Sequence, residues 1–245
     1  MRHLLTAFAI LVGLASAAVN SPGLIGGWPT ERDHTGADSL KTTDVSVNDN
    51  TMFWQGTTIT AWVAGKFGQC YDFNPLHSQY GRVTDEAAPG CNAEVTVCAW
   101  VRIDDTTARR CIVEYDDGVN LVGYGMVYYG GVPDSKRLQT YWGSTATFVT
   151  VGTTPIYQGV WTHVATVRRG TTGAWVDTQY VNGVFDGAGA TATDPDGGNQ
   201  YFLTADIAAG GWGFYGRIDE VYVWDKALSQ NDIKRVMMGM HPLGM

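Results

Sequence analysis

The strongest signals for the fold lie in one stretch, Gly213-Phe-Tyr-Gly-Arg-Ile-Asp-Glu-Val-Tyr-Val-Trp-Asp-Lys-Ala-Leu-Ser-Gln-Asn-Asp-Ile-Lys234. An aromatic, glycine-bearing run leads into a predicted strand, Ile218–Trp224, and a short link then leads to a helix that starts at Ser229. The Ser229 hydroxyl can accept a hydrogen bond from an N–H group of the first helical turn, and the Asp232 carboxylate can reach back. The stretch therefore predicts a strand followed closely by a capped helix.

The predicted helix is short and has one apolar face. Ile233, Val236 and Met237 share that face because they are spaced i, i+3 and i+4. Gly239 is a candidate C-terminal cap. A helix of about ten residues is not stable alone in water, so we expect it to dock on another element.

The first residues of the chain have the pattern of a signal peptide. Met1-Arg-His is basic, Leu4–Leu14 is apolar, and the small residues that follow fit a cleavage site. A membrane anchor is the alternative, but this apolar segment is well short of the ~20 residues that span a bilayer. We predict a signal peptide over residues 1–18, a location outside the cell or at its surface, and no transmembrane segment after cleavage.

Composition restricts the class of protein and its partners. The formal net charge is −8, which disfavours nucleic acid and anionic membranes as partners. Charged residues make up 16% of the chain, whereas it contains 31 glycines and nine tryptophans. This balance is typical of a secreted all-β protein.

Four cysteines follow the signal segment, and in an exported chain an even number favours two disulfides with three possible connectivities. Cys98 and Cys111 lie in apolar, strand-like runs that could pair antiparallel, so Cys98–Cys111 is the preferred pairing. Cys70–Cys91 then follows by elimination. A cysteine metal site is disfavoured, because there is no C-x-x-C motif and no histidine at ligand spacing.

The middle of the chain predicts a β-sandwich, because short strands alternate with turn signals. Asn182-Gly183 is a turn dipeptide between two apolar pairs and predicts a β-hairpin. Residues 61–240 are therefore assigned to one all-β domain, and residues 241–245 to a tail. Residues 19–60 are an irregular segment of the same domain, either an arm that folds over the sandwich or a poorly ordered lead-in. The predicted strands are Gln69–Phe73, Gly81–Thr84, Glu94–Arg102, Arg110–Tyr115, Gly125–Tyr129, Leu138–Trp142, Thr147–Val151, Thr162–Arg168, Gln179–Val181, Gln200–Thr204 and Ile218–Trp224.

Several segments, in order along the chain, resemble the laminin-G-like jelly-roll domains of the concanavalin A-like lectin/glucanase superfamily. The first is Trp62-Val-Ala-Gly-Lys-Phe-Gly-Gln-Cys-Tyr-Asp-Phe-Asn74, and the second is Val95-Thr-Val-Cys-Ala-Trp-Val-Arg102. The third is Trp161-Thr-His-Val-Ala-Thr-Val167, followed by Gln179-Tyr-Val-Asn-Gly183. The segment from Gly216 to Ser229 matches the family's closing element.

The resemblance implies a two-sheet antiparallel jelly-roll sandwich of about fourteen strands with a short C-terminal helix. Trp100 and Trp161 are then expected to pack the sandwich. Asp219 and Glu220 are adjacent in a strand, so we expect their side chains to point to opposite faces. They are predicted to be hydrogen-bonding or surface residues and not a catalytic pair.

Catalysis is not predicted, although the superfamily contains β-glucanases. Those enzymes use an E-x-D-x-x-E motif, in which alternate positions place two carboxylates on one face. The sequence has E-x-D at Glu31/Asp33 and at Glu114/Asp116, but neither is followed by the second glutamate. There is also no G-x-S-x-G nucleophile motif. No residue is therefore assigned a catalytic role.

Two candidate sites remain. Asp194, Asp196 and Asn199 form a loop rich in hard oxygen ligands and are a candidate Ca²⁺ site, although such strings are also common in plain turns. A group of aromatic residues in the centre of the chain could contact a ligand, although packing within the sheets is the alternative. Adjacent residues of a strand point to opposite faces of the sheet, so Tyr128 and Tyr129 lie on different faces, as do Tyr141 and Trp142. If the residues on one face are exposed, those on the other face belong to the core. The candidate ligand-binding residues are Tyr124, Tyr128, Tyr141 and Trp142.

The sequence thus predicts a secreted, non-catalytic binding module that recognises a carbohydrate or cell-surface glycan through aromatic residues. The first alternative is a structural or adhesive domain that binds an extracellular protein. A glycoside hydrolase is the third possibility. The inference from fold to function rests on analogy, because one fold serves many functions.

Overall fold

The computed structural model describes residues 21–29, 41–56, 62–74, 76, 78–83, 94–116, 123–131, 135–142, 148–192, 201–205 and 212–240. These residues form sixteen strands and one helix. In chain order they are β1 (Leu24–Trp28), β2 (Lys41–Thr42), β3 (Met52–Gln55), β4 (Trp62–Ala64), β5 (Gln69–Phe73), β6 (Tyr80–Val83), β7 (Val95–Ile103), β8 (Arg110–Asp116), β9 (Tyr124–Tyr129), β10 (Arg137–Trp142), β11 (Phe148–Val151), β12 (Thr162–Thr171), β13 (Ala174–Val181), β14 (Val184–Thr191), β15 (Tyr201–Thr204), β16 (Gly216–Trp224) and α1 (Gln230–Met237).

The strands form two antiparallel sheets, as the sequence predicts. Sheet A has the order β14-β13-β12-β7-β16-β5-β4, with β1 also paired to β16. Sheet B has the order β11-β10-β9-β8-β15-β6-β3-β2. Each strand predicted in the middle of the chain is present, with shifts at its ends. The predicted all-β sandwich and the Asn182-Gly183 hairpin are therefore confirmed.

The main core lies between the two sheets. Strand β7 contributes alternate residues, such as Val97, Ala99 and Val101, to this core. Its other face also lies out of solvent, because Cys98 belongs to a second apolar cluster on the outer face of sheet A. The sequence of this strand is therefore almost continuously apolar, which is typical of a strand that is covered on both faces.

Helix α1 covers part of that outer face. The Ser229 hydroxyl accepts a hydrogen bond from the backbone N–H of Asp232 at 3.2 Å, and the Asp232 carboxylate accepts one from the N–H of Ser229. Ile233 and Val236 are buried in the second cluster, and Gly239 follows the helix with a φ of 74°. The capping box, the apolar face and the glycine end are confirmed.

The described residues of the segment 19–60 are more regular than predicted. Strand β1 pairs with β16 in sheet A, while β2 and β3 extend sheet B. The Asp44 carboxylate holds this segment in place, because it accepts hydrogen bonds from the backbone N–H groups of Gly27 and Asn50 at 2.8 and 2.9 Å. Glycine weakens the strand signal, but it is required here: a Cβ at Gly26 would lie 2.5 Å from the Trp28 ring.

The predicted Cys98–Cys111 disulfide is absent from the structure. Strands β7 and β8 belong to different sheets and do not pair, so the premise of that prediction is wrong. Cys98 and Cys111 are buried thiols, and so is Cys70, whose predicted partner Cys91 lies outside the described residues. Burial raises the pKa of the Cys70 thiol to about 12.

Within the described part of the chain, no helix has the length and apolar character needed to cross a membrane. The predicted signal peptide, residues 1–18, and the tail, residues 241–245, lie outside the described residues. Export therefore stays a prediction.

Candidate functional site

The structure separates the four predicted ligand-binding aromatics. Tyr124, Tyr128 and Trp142 are at most 1% exposed and belong to the core between the sheets, so the prediction of a contact surface is wrong for these three. Tyr141 lies on the opposite face of β10, although it is also buried. The pattern Arg-Leu-Gln-Thr-Tyr-Trp of β10 explains the split, since alternate residues of a strand face opposite sides.

One row of residues crosses the outer face of sheet B on all eight strands. Each member is the direct register partner of the next, from β2 at one edge to β11 at the other. We call it the outer row. It combines aromatic, cationic and acidic residues. Its centre, Glu114, Gly125 and Tyr141, is buried, whereas the side chains toward its two ends keep some exposure to solvent. Its members are Lys41, Phe53, Arg82, Leu203, Glu114, Gly125, Tyr141 and Phe148.

The centre of the outer row is a tyrosine packed over a glycine. Gly125 lies between Glu114 and Tyr141 in register, and a Cβ at position 125 would lie 2.2 Å from the Tyr141 ring. The absence of a side chain at Gly125 lets the Tyr141 ring lie across β9. The Tyr141 hydroxyl then donates a hydrogen bond to the Glu114 carboxylate at 3.1 Å. This places a buried carboxylate and an aromatic ring in one fixed arrangement.

At the β11 end of the row, three aromatic rings, one of them Phe148 of the row itself, surround one arginine. The Arg109 guanidinium lies 4.3 Å from the centre of the Phe148 ring and 4.8 Å from the centres of the Tyr129 and Trp212 rings. We call these four residues the Arg109 cluster. Each is half-buried, so each ring keeps part of its surface in contact with solvent. Cation–π contacts of this kind hold the rings and the guanidinium together.

Burial affects the charge of Arg109. Desolvation lowers the pKa of its guanidinium, while the neighbouring Tyr129 acts in the opposite direction. Arginine stays charged in proteins even so, because its reference pKa is far above neutral. The cluster therefore presents a positive charge with reduced hydration beside aromatic surface.

A family model of laminin G type, described as the concanavalin A-like lectin/glucanases superfamily, matches residues 77–234 of the chain. The chain belongs to this superfamily. The match includes the strands that carry the outer row from β6 to β11. No curated protein matches the sequence.

Solved structures show the same fold at low sequence identity. Domain 4 of AbnA, a GH43 extracellular arabinanase from Geobacillus stearothermophilus, solved with arabinotriose, gives a TM-score of 0.66 at 18% identity and covers 89% of this chain and 99% of that chain. The binding domain of Paraclostridial Mosquitocidal Protein 1 gives 0.66 at 14% identity, with 88% and 52% covered. The botulinum neurotoxin serotype C1 binding domain gives 0.62 at 11% identity, with 89% and 52% covered. The chain thus spans about half of each toxin binding domain, and the likeness concerns the fold.

In this superfamily member, Trp100 lies on the outer face of sheet A. Trp100 is 6% exposed, its ring lies 4.1 Å from the Lys66 ammonium, and it packs edge-on against buried His163. Trp161 is half-buried. Trp100 is buried, but it lies on the outer face of sheet A and not in the core between the sheets.

Asp219 and Glu220 both have structural hydrogen bonds, as predicted. Asp219 is fully buried and accepts the backbone N–H groups of Lys66 and Phe67 at 2.8 and 3.1 Å. Glu220 accepts the Tyr222 hydroxyl at 2.6 Å. The strand register shifts between Asp219 and Tyr222, and Glu220 has a φ of 53°. Simple alternation is therefore the wrong reason for separating the two carboxylates.

The candidate Ca²⁺ ligands Asp194, Asp196 and Asn199 lie outside the described residues. Among the residues that are described, no group of three or more His, Cys, Asp and Glu side chains could hold a metal ion. The Ca²⁺ site stays a prediction.

Sequence reasoning did not find Arg109, Phe148 and Trp212 as a group. They come from segments far apart in the chain, so no local spacing connects them. Alternation within β9 and β10 could have identified Tyr129 and Tyr141 as the outward members of the aromatic group. Glu114 belongs to the incomplete glucanase motif of the sequence, but its position beside Tyr141 depends on the fold.

Proposed function

We propose that this protein is an extracellular, non-catalytic module that binds carbohydrate on the outer face of sheet B. The observation that carries the proposal is the Arg109 cluster, in which three partly exposed rings adjoin the outer row. Aromatic rings combine an apolar face with a rigid shape, and polar groups beside them can fix the orientation of a ligand.

The polar groups beside the rings suit the hydroxyl groups of a sugar. Gln139 is the register partner of Val127 and Val151, two residues along the strand from Tyr141. Gln139 is 5% exposed, and its side-chain oxygen has no hydrogen-bond partner among the described residues. Lys41 and Arg82 extend the polar part of the row toward the other edge of the sheet. The groups that a sugar could meet are those with some exposure to solvent, which are the Arg109 cluster at one end of the row and Lys41, Phe53 and Arg82 at the other.

The similarity to domain 4 of the arabinanase, solved with arabinotriose, is consistent with this proposal, as is the family. At 18% identity it supports a binding fold and does not identify the sugar. The signal-like segment at residues 1–18 supports a location outside the cell.

Two features support a non-catalytic role. The E-x-D element at Glu114/Asp116 lacks the second glutamate of the glucanase motif. The Glu114 carboxylate is 2% exposed and accepts the Tyr141 hydroxyl, so it is engaged within the protein. A retaining glycosidase needs two carboxylates about 5 Å apart that both reach the substrate.

Binding to a glycan array and to insoluble polysaccharides tests the proposal. We expect retention on at least one glycan, and we expect Phe148→Ala and Trp212→Ala to weaken it without loss of the folded circular dichroism spectrum. Phe185→Ala is the matched control, because Phe185 is 56% exposed on β14 of the other sheet. Absence of binding to every glycan would contradict the proposal and favour a protein partner. Release of reducing sugars from a bound glycan would contradict the non-catalytic part.

A further inference from the structure

We propose that the outer face of sheet B selects acidic saccharides, with Arg109 and Arg137 contacting the carboxylate or sulfate groups of the ligand. This inference rests on the proposed function, because it concerns the same face. It names the class of sugar that the face accepts.

The first argument is that these two arginines have no acidic partner among the described residues. Arg102, Arg110 and Arg217 each form an ion pair with an aspartate. No described carboxylate forms such a pair with Arg109 or Arg137. The Nε atoms of both are buried and have no hydrogen-bond partner within the described structure. Both arginines are half-buried, so each guanidinium keeps part of its surface in solvent, where an external anion can reach it.

The second argument is that the two cations flank one ring. Arg137 on β10 is the direct register partner of Tyr129 on β9, and the Arg109 guanidinium lies 4.8 Å from the centre of the Tyr129 ring. Cross-strand neighbours lie with their Cβ atoms about 5 Å apart. A saccharide on this part of the face would meet aromatic surface and two guanidinium groups together. Guanidinium groups bind carboxylate and sulfate oxygens with paired N–H donors.

The third argument concerns desolvation. The three rings already exclude part of the water around the Arg109 guanidinium, so an anion that reaches it displaces little further water. The rings also restrict the guanidinium, which lowers the entropy lost on binding. The net charge of −8 describes the whole chain, whereas Arg109 and Arg137 place two positive charges beside one ring of this face.

The experiment compares matched acidic and neutral sugars on the intact protein. Polygalacturonate and its fully methyl-esterified form have the same rings but differ in charge, as do dextran sulfate and dextran. These probes are combined with an array of uronate, sialylated, sulfated and neutral glycans. We expect binding to acidic members alone, weakened by an increase in salt from 50 to 300 mM, because salt screens exposed charges.

Arg109→Gln and Arg137→Gln should each reduce affinity for the acidic ligand about tenfold or more, the usual effect of losing a charged hydrogen bond. Arg235→Gln, on helix α1 beside the other sheet, removes the same charge and should have no effect. If Arg109→Gln does not fold, Arg137→Gln decides the question alone.

This inference would be overturned if the protein bound neutral and acidic glycans with equal affinity, or if neither arginine variant changed the affinity. The proposal of carbohydrate binding would still stand in either case. Absence of binding to every acidic and neutral glycan would instead contradict the proposed function. A preference for sulfated over carboxylated members, or the reverse, would identify which anion the two guanidinium groups accept.

Discussion

Gly125 and Tyr141 are direct partners on β9 and β10, and the tyrosine ring occupies the space that a side chain on the glycine would need. The pair positions the Tyr141 hydroxyl for its hydrogen bond to Glu114. The most central contact of the outer row thus depends on a residue with no side chain.

Substitution of this glycine should therefore destabilise the protein. A Cβ at position 125 would lie 2.2 Å from Tyr141 Cε1, so Gly125→Ala forces the ring to move. We expect a loss of about 1–3 kcal/mol in the free energy of unfolding, typical of overpacking, measured by urea denaturation. In the Tyr141→Ala background the same substitution should cost much less. An equal cost in both backgrounds would show that the ring is not the cause.

The helix cap provides a second prediction. Ser229→Ala removes the hydroxyl that accepts the Asp232 N–H, and we expect a loss of about 1 kcal/mol in the free energy of unfolding. Asn231→Ala is the control, because Asn231 is exposed in the same turn and has no part in the capping box. If the two variants were equally stable, the cap would have no measurable role.

The reactivity of Cys98 distinguishes a free thiol, as in the structure, from the Cys98–Cys111 disulfide that the sequence predicts. Cys98 is a buried thiol, and burial raises its pKa, so the reactive thiolate is scarce and inaccessible. We expect an alkylating reagent to leave Cys98 unmodified in the native protein and to modify it after denaturation without any reductant. Peptide mass spectrometry reads both states. Recovery of a peptide pair joined through Cys98 and Cys111 would contradict the structure.

The stability of the protein should depend on pH through His163. Burial lowers the pKa of this imidazole from 6.5 to about 3. Between these values the unfolded chain binds a proton that the folded chain does not, so the free energy of unfolding decreases as the pH falls. Integration of this linkage gives a loss of roughly 2 kcal/mol between pH 7 and pH 5.

His163→Gln tests this dependence, because glutamine is polar but does not titrate. The variant should lose less stability than the parent between pH 7 and pH 5, measured by urea denaturation at each pH. The other histidines are common to both proteins, so the difference in slope reports on His163. Parallel curves would mean that His163 binds its proton equally in both states.

Local signals in the sequence predicted the elements that depend on neighbouring residues. The cap at Ser229 and Asp232 involves residues three apart, and the hairpin turn at Asn182-Gly183 requires positive φ angles that asparagine and glycine tolerate. The strands of the middle of the chain were also found, because the alternation or continuity of apolar residues is a property of each strand alone.

Longer-range features were not predictable in the same way. Strand β1 was missed because its two glycines weaken the strand pattern, and they are present to admit the Trp28 and Tyr222 rings. Strands β7 and β8, which carry Cys98 and Cys111, are consecutive in the chain but lie in different sheets. Neighbouring position in the sequence therefore suggested a pairing that the topology does not contain.

The candidate site shows the same division. By itself the sequence determined the sandwich fold, the capped helix and the abundance of aromatic residues, since each depends on local spacing or on composition. The tertiary structure alone decided that Trp142 is core, that Tyr141 faces outward over Gly125, and that Arg109 meets Phe148 and Trp212. Those contacts join residues remote in the chain, and the order of the strands within each sheet is what brings them together.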